Sequence, residues 1–312
     1  MRVFFIRRFL FSIITVIGAT AIVFTMSRAV ADPLLLYAKP GGYGVSPEQT
    51  AVLKAKLGLD KPPPIQFVLW LGRVARGDLG ETILDEKPVG RILMERVPAS
   101  FQLGLYAFIL ATVFGIPLGI LSAVKRGSSW DYMGRGVALF GQAIPTFWLA
   151  IVFILVFAVS LDWLPAATRG DGWFDFKHAL MPTVTLAVGA LAGYMRITRS
   201  AMLEVLDSEY VKLARAKGVG PQSVIWKHAF RNALIAPLTA SSLIFVGFLA
   251  GSVLIENIFA WPGLGRAAIQ AINNNDFPIL QAITLFFVLA YVVMNFVTDV
   301  LYAVIDPRIR LG

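Results

Sequence analysis

Residues 209–218 read Glu209-Tyr210-Val211-Lys212-Leu213-Ala214-Arg215-Ala216-Lys217-Gly218, a short basic stretch between two apolar runs long enough to cross a bilayer. The pattern predicts a helix. Asp207 or Ser208 stands where a cap belongs, and the charge of Glu209 suits the positive N-terminal end. Tyr210, Leu213 and Ala214 fall at i, i+3 and i+4 and so share one apolar face. Lys212, Arg215 and Lys217 occupy the other sides, the last two favouring the C-terminal end. Gly218 supplies a left-handed stop. Pro221 then opens a second helix through Trp226, His228 and Phe230 toward Asn232. A hairpin with one exposed apolar stripe fits a groove on another protein, and a basic amphipathic helix rests equally well on anionic headgroups. Periodicity alone leaves both readings open.

Across the chain, 57% of the 312 residues are hydrophobic and only 15% are charged, where a soluble domain carries roughly 25%. Six segments approach the ~20 apolar residues that a span requires: 9–29, 99–124, 137–161, 179–197, 233–255 and 279–305. The expected fold class is therefore an all-α integral membrane protein with six transmembrane helices. Arg2, Arg7 and Arg8 put the N-terminus in the cytoplasm, and the even number of spans returns the C-terminus there. On this topology the inner pieces hold 15 Lys/Arg against five acids, the outer pieces hold 13 of each, and Asp299 lies within the sixth span. The net charge of +9 is thus a signature of orientation, and no nucleic-acid-binding pattern accompanies it.

The chain divides into an N-terminal anchor helix at 1–31, an outer helical segment at 32–98, a five-helix core at 99–305 containing the cytoplasmic loop 199–231, and a cytoplasmic tail at 306–312. Arg7-Arg8, an apolar run and Ala29-Val30-Ala31 imitate a cleavable signal, but the run exceeds the usual h-region of 7–15 residues, so an uncleaved anchor is expected. The outer segment predicts helices at 46–57, 65–76 and 89–96, the last ending at Pro98. Small-xxx-small pairs at Gly115/Gly119, Gly189/Gly193 and Gly247/Gly251 predict close helix packing in lipid. Pro117 and Pro145 are expected to bend their helices.

Four further polar or aromatic residues are candidates for a translocation path or gate. Asp299 lies in the sixth span with Asn295 one turn earlier, and an intramembrane acid serves either transport or a structural hydrogen bond. Glu256 at the outer end of the fifth span presents the same choice. Trp261 begins a Pro- and Gly-rich loop, 261–266, which reads either as a gate or re-entrant turn or as an interfacial anchor. His178 and His228 are the only histidines and there is no cysteine, so a histidine- or thiolate-built metal site is not expected.

The loop EYVKLARAKGVGPQSVIWKHAFRNALIAP resembles the EAA loop of ABC-importer permeases in the dipeptide/oligopeptide/nickel family. Stretches similar to that family's B-type subunit include GDLGETI at 77–83, PVGRILMERVPAS at 88–100, GIPLGILSA at 115–123, IPTFWLA at 144–150, ENIFAWPGLGR at 256–266 and DVLYAVIDPRIRLG at 299–312. The usual acid-Ala-Ala core here reads Glu209, Ala214, Ala216. The resemblance implies a type I importer fold in the bacterial inner membrane and a helix that docks in a cleft of a separate ATPase. Glu209, Ala214 and Gly218 are then the signature positions, with Tyr210, Leu213, Arg215 and Lys217 beside them. It also implies a second homologous permease subunit, two cytoplasmic ATPases, an extracytoplasmic solute-binding protein and surrounding membrane lipid, with ATP and Mg on the ATPase and no cofactor on this chain. Peptides head the family's substrates; nickel, opines, glutathione and sugars are alternatives.

Two other classes fit less well. An ion-driven secondary transporter usually shows repeats and several midplane charges, where only Asp299 is a clear candidate. An intramembrane enzyme would need a catalytic motif, and neither H-E-x-x-H nor G-x-S-x-G occurs. Without a Gly-Lys dipeptide there is no Walker A loop, so the expected energy source is a partner.

Overall fold

A computed structural model describes residues 2–30, 54, 60–83 and 86–305. The helix expected at 46–57, apart from Lys54, and the tail at 306–312 lie outside the described residues. Among those residues every regular element is helical, with one isolated bridge between Glu81 and Pro88.

The order is α1 (Arg2–Val30), α2 (Pro63–Val74), α3 (Val89–Val124), α4 (Ser129–Ala143), α5 (Thr146–Ser160), α6 (Phe176–Leu206), α7 (Glu209–Ala216), α8 (Pro221–Ala233), α9 (Ile235–Ile258), α10 (Leu264–Asn273) and α11 (Phe277–Ile305). The expected outer helix at 89–96 does not stop at Pro98. It continues without a break into the second span, making α3 a single helix of 36 residues. Membrane helices tolerate proline because neighbours and local adjustment re-satisfy the freed carbonyl. Helix α10 begins at Leu264, inside the 261–266 stretch where the sequence predicted only a turn.

Four helices are individually long and apolar enough to cross a bilayer, with spans at Phe9–Met26, Val89–Val124, Phe176–Leu206 and Phe277–Thr298. The count reaches six when two bent pairs are each taken as one span. The third expected span, 137–161, is one of these: α4 and α5 meet at 97°. Ile144 is extended at ψ 122° and Pro145 at ψ 129°, because a residue preceding proline is driven out of the helical region. The other pair is α8 and the α9 stretch Ile235–Phe248, bent by 49°. Pro237 sits three residues beyond that break, where its missing N–H leaves a carbonyl one turn earlier without a helical partner.

The chain forms two compact units, Met1–Pro98 with Arg266–Val292, and Ala99–Gly265 with Val293–Gly312. In the first, Phe24 of α1 meets Phe67 edge-on at 5.5 Å, and Phe67 stacks on Trp70 at 5.9 Å. The Ile83 N–H donates to Asp276 Oδ2 at 3.1 Å, tying the segment between α2 and α3 to the turn before α11.

The second unit is built on close contact between α3 and α6. A Cβ added at Gly115 would lie 2.8 Å from the Leu191 carbonyl oxygen, and one at Gly119 would lie 2.7 Å from that of Met195. This pair works as its spacing predicts. The Gly189/Gly193 pair has only ordinary van der Waals neighbours, so small-residue spacing is repeated there without close approach, and Gly247 faces open space. A core of Ala99, Leu103, Ala107, Tyr194, Phe248 and Trp261, among others, fills one end of the unit. A second core of Ile120, Ala123, Met202, Leu206, Val211, Val224, Ala229 and Ala233 fills the other.

Candidate functional site

The second core is what seats the loop hairpin. Helix α7 spans Glu209–Ala216 as the pattern predicts, with Ser208 in the extended conformation at its start. The cap itself differs from expectation. Ser208 Oγ donates back to the Val205 carbonyl at 2.5 Å instead of accepting from the first turn, so the serine closes α6 and leaves the α7 N-terminus to Glu209. At the other end Gly218 has φ +78°. The Val219 N–H reaches the Ala214 carbonyl at 3.1 Å and the Gly218 N–H reaches that of Arg215 at 2.9 Å, a left-handed stop of the kind glycine permits.

The apolar face expected from Tyr210, Leu213 and Ala214 is divided. Ala214 is buried together with Val211, which is fully enclosed, whereas Tyr210 and Leu213 are 45% and 56% exposed. An eight-residue helix has apolar residues on two sides, and the core formed by α3, α6 and α8 claims the Val211 side. On α8 of the same hairpin Trp226 is also outward, 50% exposed and edge-on to Phe230 at 5.5 Å. The periodicity of the sequence gives Trp226 no docking role; its exposure in the fold is what marks it. Val211 is legible in retrospect from its i, i+3 spacing to Ala214.

The charged residues lie around this stripe. Glu209 pairs with Lys212, Oε1 to Nζ at 2.8 Å, and this hydrogen bond raises the Lys212 ammonium above its ordinary value. Both side chains are well exposed, so the pair contributes little stability and stays available to a partner. Arg215, Lys217 and Gly218 are exposed. The hairpin therefore presents Tyr210, Leu213 and Trp226 in a polar rim and is fixed from behind by Val211, Ala214, Val224 and Ala229.

At the opposite core, Glu256 is fully buried at the end of α9. Its Oε1 accepts from Ser100 Oγ at 2.6 Å and from Ser252 Oγ at 2.8 Å. Ser100 Oγ in turn accepts the Leu264 N–H at 2.7 Å. Trp261 is also fully buried, and its indole Nε1 donates to the Ala99 carbonyl at 2.9 Å. The reading of Trp261 as an interfacial anchor is therefore replaced by an internal brace. Gly263 is needed for the approach, since a Cβ there would lie 2.4 Å from Glu256 Oε2 and 2.5 Å from Ser100 Oγ. Two of the four gate candidates, Glu256 and Trp261, thus meet in one cluster. Sequence reasoning missed Ser100 and Ser252; the i, i+4 spacing of Ser252 to Glu256 was the available signal. Asn295 is half-buried on α11, and the Asp299 side chain lies outside the described residues.

Residues 115–311 match the binding-protein-dependent transport system inner membrane component, and residues 1–104 match the N-terminal part of the membrane component of such systems. The chain belongs to this family. It is a multi-pass bacterial inner-membrane permease subunit of an ABC importer, not itself catalytic, with ATP hydrolysis on partner subunits. The permease is 37% identical over 318 residues to the oligopeptide transport system permease protein AppB of Bacillus subtilis (strain 168), covering 99% of this chain and 100% of the relative. It is also 37% identical over 335 residues to the dipeptide transport system permease protein DppB of Escherichia coli (strain K12), covering 98% of each. Among solved structures, a chain of the MetNI methionine ABC transporter in an inward-facing conformation gives a TM-score of 0.59 at 18% identity, covering 69% of the permease and 96% of that chain. An amino acid ABC transporter crystallised with histidines gives 0.52 at 15%. At these identities the likeness shows the fold, that of type I importer permeases.

Proposed function

We propose that the permease forms half of the translocation path for di- or oligopeptides and that its α7–α8 hairpin is the peg through which a separate ATPase drives it. One observation carries the reading: Tyr210, Leu213 and Trp226 stay exposed on a hairpin whose reverse side is locked into the bundle by Val211 and Ala214. An apolar stripe on a rigid mount suits a groove on a second protein, and force applied to it passes to α3 and α6 without being absorbed by a loose loop. Relatives at 37% identity that are named for oligopeptides and dipeptides support the substrate class.

In this reading both termini and the hairpin face the cytoplasm, as the positive-inside count implies. A second homologous permease completes the path, and two ATPases, which hold ATP and Mg, grip the two hairpins. Closure of the ATPases draws the pegs together and rocks the bundle between inward- and outward-facing states. An extracytoplasmic binding protein delivers solute at the other face. Glu256 and Trp261 brace the outer end of the path, and Asn295 and Asp299 line it on α11.

The test is reconstitution of the permease with its ATPase, second permease and binding protein in vesicles. Labelled dipeptide should accumulate only with ATP and the binding protein present. Accumulation of nickel or a sugar in place of peptide would overturn the substrate class, and uptake without the ATPase would overturn the coupling.

A further inference from the structure

On the second unit, α4 and α6 build a cationic cluster that the coupling hairpin does not use. Asp131 of α4 is buried. Arg199 of α6 grips it through Nε at 2.7 Å from Oδ1 and Nη2 at 3.1 Å from Oδ2. Ser122 Oγ donates to Oδ1 at 2.8 Å and the Gly127 N–H donates to Oδ2 at 3.0 Å. This carboxylate is fully engaged, yet a second guanidinium group stands beside it. Arg135 Nη2 is 3.5 Å from Oδ2 and nearly half exposed. Arg196 is exposed and has no hydrogen bond or ion pair among the described residues.

These arginines open onto a cavity of about 360 Å³ whose remaining wall is largely apolar, with Ala138, Leu139 and Met195 among its lining residues. Three guanidinium groups, Arg135, Arg196 and Arg199, line the cavity and no carboxylate does, so even with Asp131 set against Arg199 the site keeps an excess of two positive charges. The outer surface of the same helix exposes Trp130, Tyr132, Met133, Val137 and Phe140, and Arg135 lies over the Tyr132 ring at 4.5 Å. Tryptophan and tyrosine at one end of an apolar exposed helix are the composition of a surface at headgroup depth. The cluster also lies at the hairpin end of the unit: Arg126, in the turn before α4, pairs with Asp207, just before α7, at 3.5 Å.

We propose that this cavity binds the phosphate of an anionic phospholipid, with Arg135 and Arg196 holding the headgroup and an acyl chain running along the apolar wall. Planar guanidinium forks match phosphate oxygens, and basic pockets between membrane helices suit anionic headgroups. The amphipathic lining distinguishes this from a site for a free anion. A bound lipid here would link membrane composition to the helix that leads directly into the coupling hairpin.

The experiment uses the complete transporter, extracted gently and analysed by native mass spectrometry against phosphatidylglycerol and phosphatidylcholine. The wild type should retain phosphatidylglycerol in preference. Arg135→Gln with Arg196→Gln should reduce that preference on the order of 10-fold, and Arg196→Lys should keep most of it; Arg199 is left in place because it neutralises buried Asp131. Excess inorganic phosphate should not displace the lipid. Equal retention of the two lipids, an unchanged preference in the double variant, or full displacement by phosphate would each overturn the proposal. So would loss of the second permease subunit from the double variant, which would assign this face to a subunit contact.

Discussion

Ser100 Oγ donates to Glu256 Oε1 at 2.6 Å across 156 positions of sequence, joining the second membrane helix to the end of the fifth. A buried carboxylate is tolerated only when its oxygens are engaged, and this contact supplies one of the engagements. Ser100→Ala removes the donor and also the acceptor of the Leu264 N–H. A loss of about 1–3 kcal/mol is expected, read as a lower melting temperature of the purified transporter. Glu256→Gln should be milder than Glu256→Ala, because the amide oxygen still accepts from both serines. Equal melting temperatures for wild type and Ser100→Ala would show that the contact does not brace the fold.

Leu213→Asp and Val211→Ala separate docking from folding. Leu213 is outward, so its replacement should leave thermal stability within about 0.5 kcal/mol while abolishing peptide-stimulated ATP hydrolysis in the reconstituted complex. Val211 is enclosed, so its truncation should destabilise the permease by about 1–3 kcal/mol. An undiminished ATPase response in Leu213→Asp, at normal assembly, would remove the outward stripe from the interface.

Gly218→Val tests the turn. With φ at +78°, a β-branched residue is strained by roughly 1–2 kcal/mol, and the backbone has to change the angle between α7 and α8. Membrane insertion should survive, since the position is exposed and no atom lies within 4 Å of an added Cβ. Uptake should fall relative to ATP hydrolysis. Normal uptake at normal expression would refute docking through this hairpin.

Gly119 and Gly247 stand at opposite ends of a graded series. Gly119→Val should disrupt the α3–α6 contact, because its Cβ would meet a backbone carbonyl oxygen at 2.7 Å, and overpacking of this kind costs about 1–3 kcal/mol or more. Gly247→Ala has open space around it and should be neutral or slightly stabilising, since alanine is the better helix former. The comparison is made by expression level and melting temperature. A destabilised Gly247→Ala would place an unseen neighbour against that face.

Much of the fold was legible from local signals. Length and apolarity located the membrane segments, and Glu209 and Gly218 bounded α7 to within a residue or two. The bend at Pro145 was also readable, though not its size of 97°, because proline specifies where a helix breaks while the surrounding packing sets the angle. The continuity of α3 through Pro98 was misread for the same reason: outside a bundle that proline would have ended the helix.

What the sequence determined by itself is therefore everything governed by a single segment's chemistry: an all-helical membrane chain, its spans, and a basic amphipathic hairpin between the fourth and fifth. Only the tertiary structure decided that Val211 and Ala214 turn inward while Tyr210 and Leu213 remain outside, and that Glu256, Ser100 and Trp261 close into one cluster. Helical periodicity assigns residues to faces, but which face is buried depends on the surface that meets it, and those surfaces come from positions far along the chain.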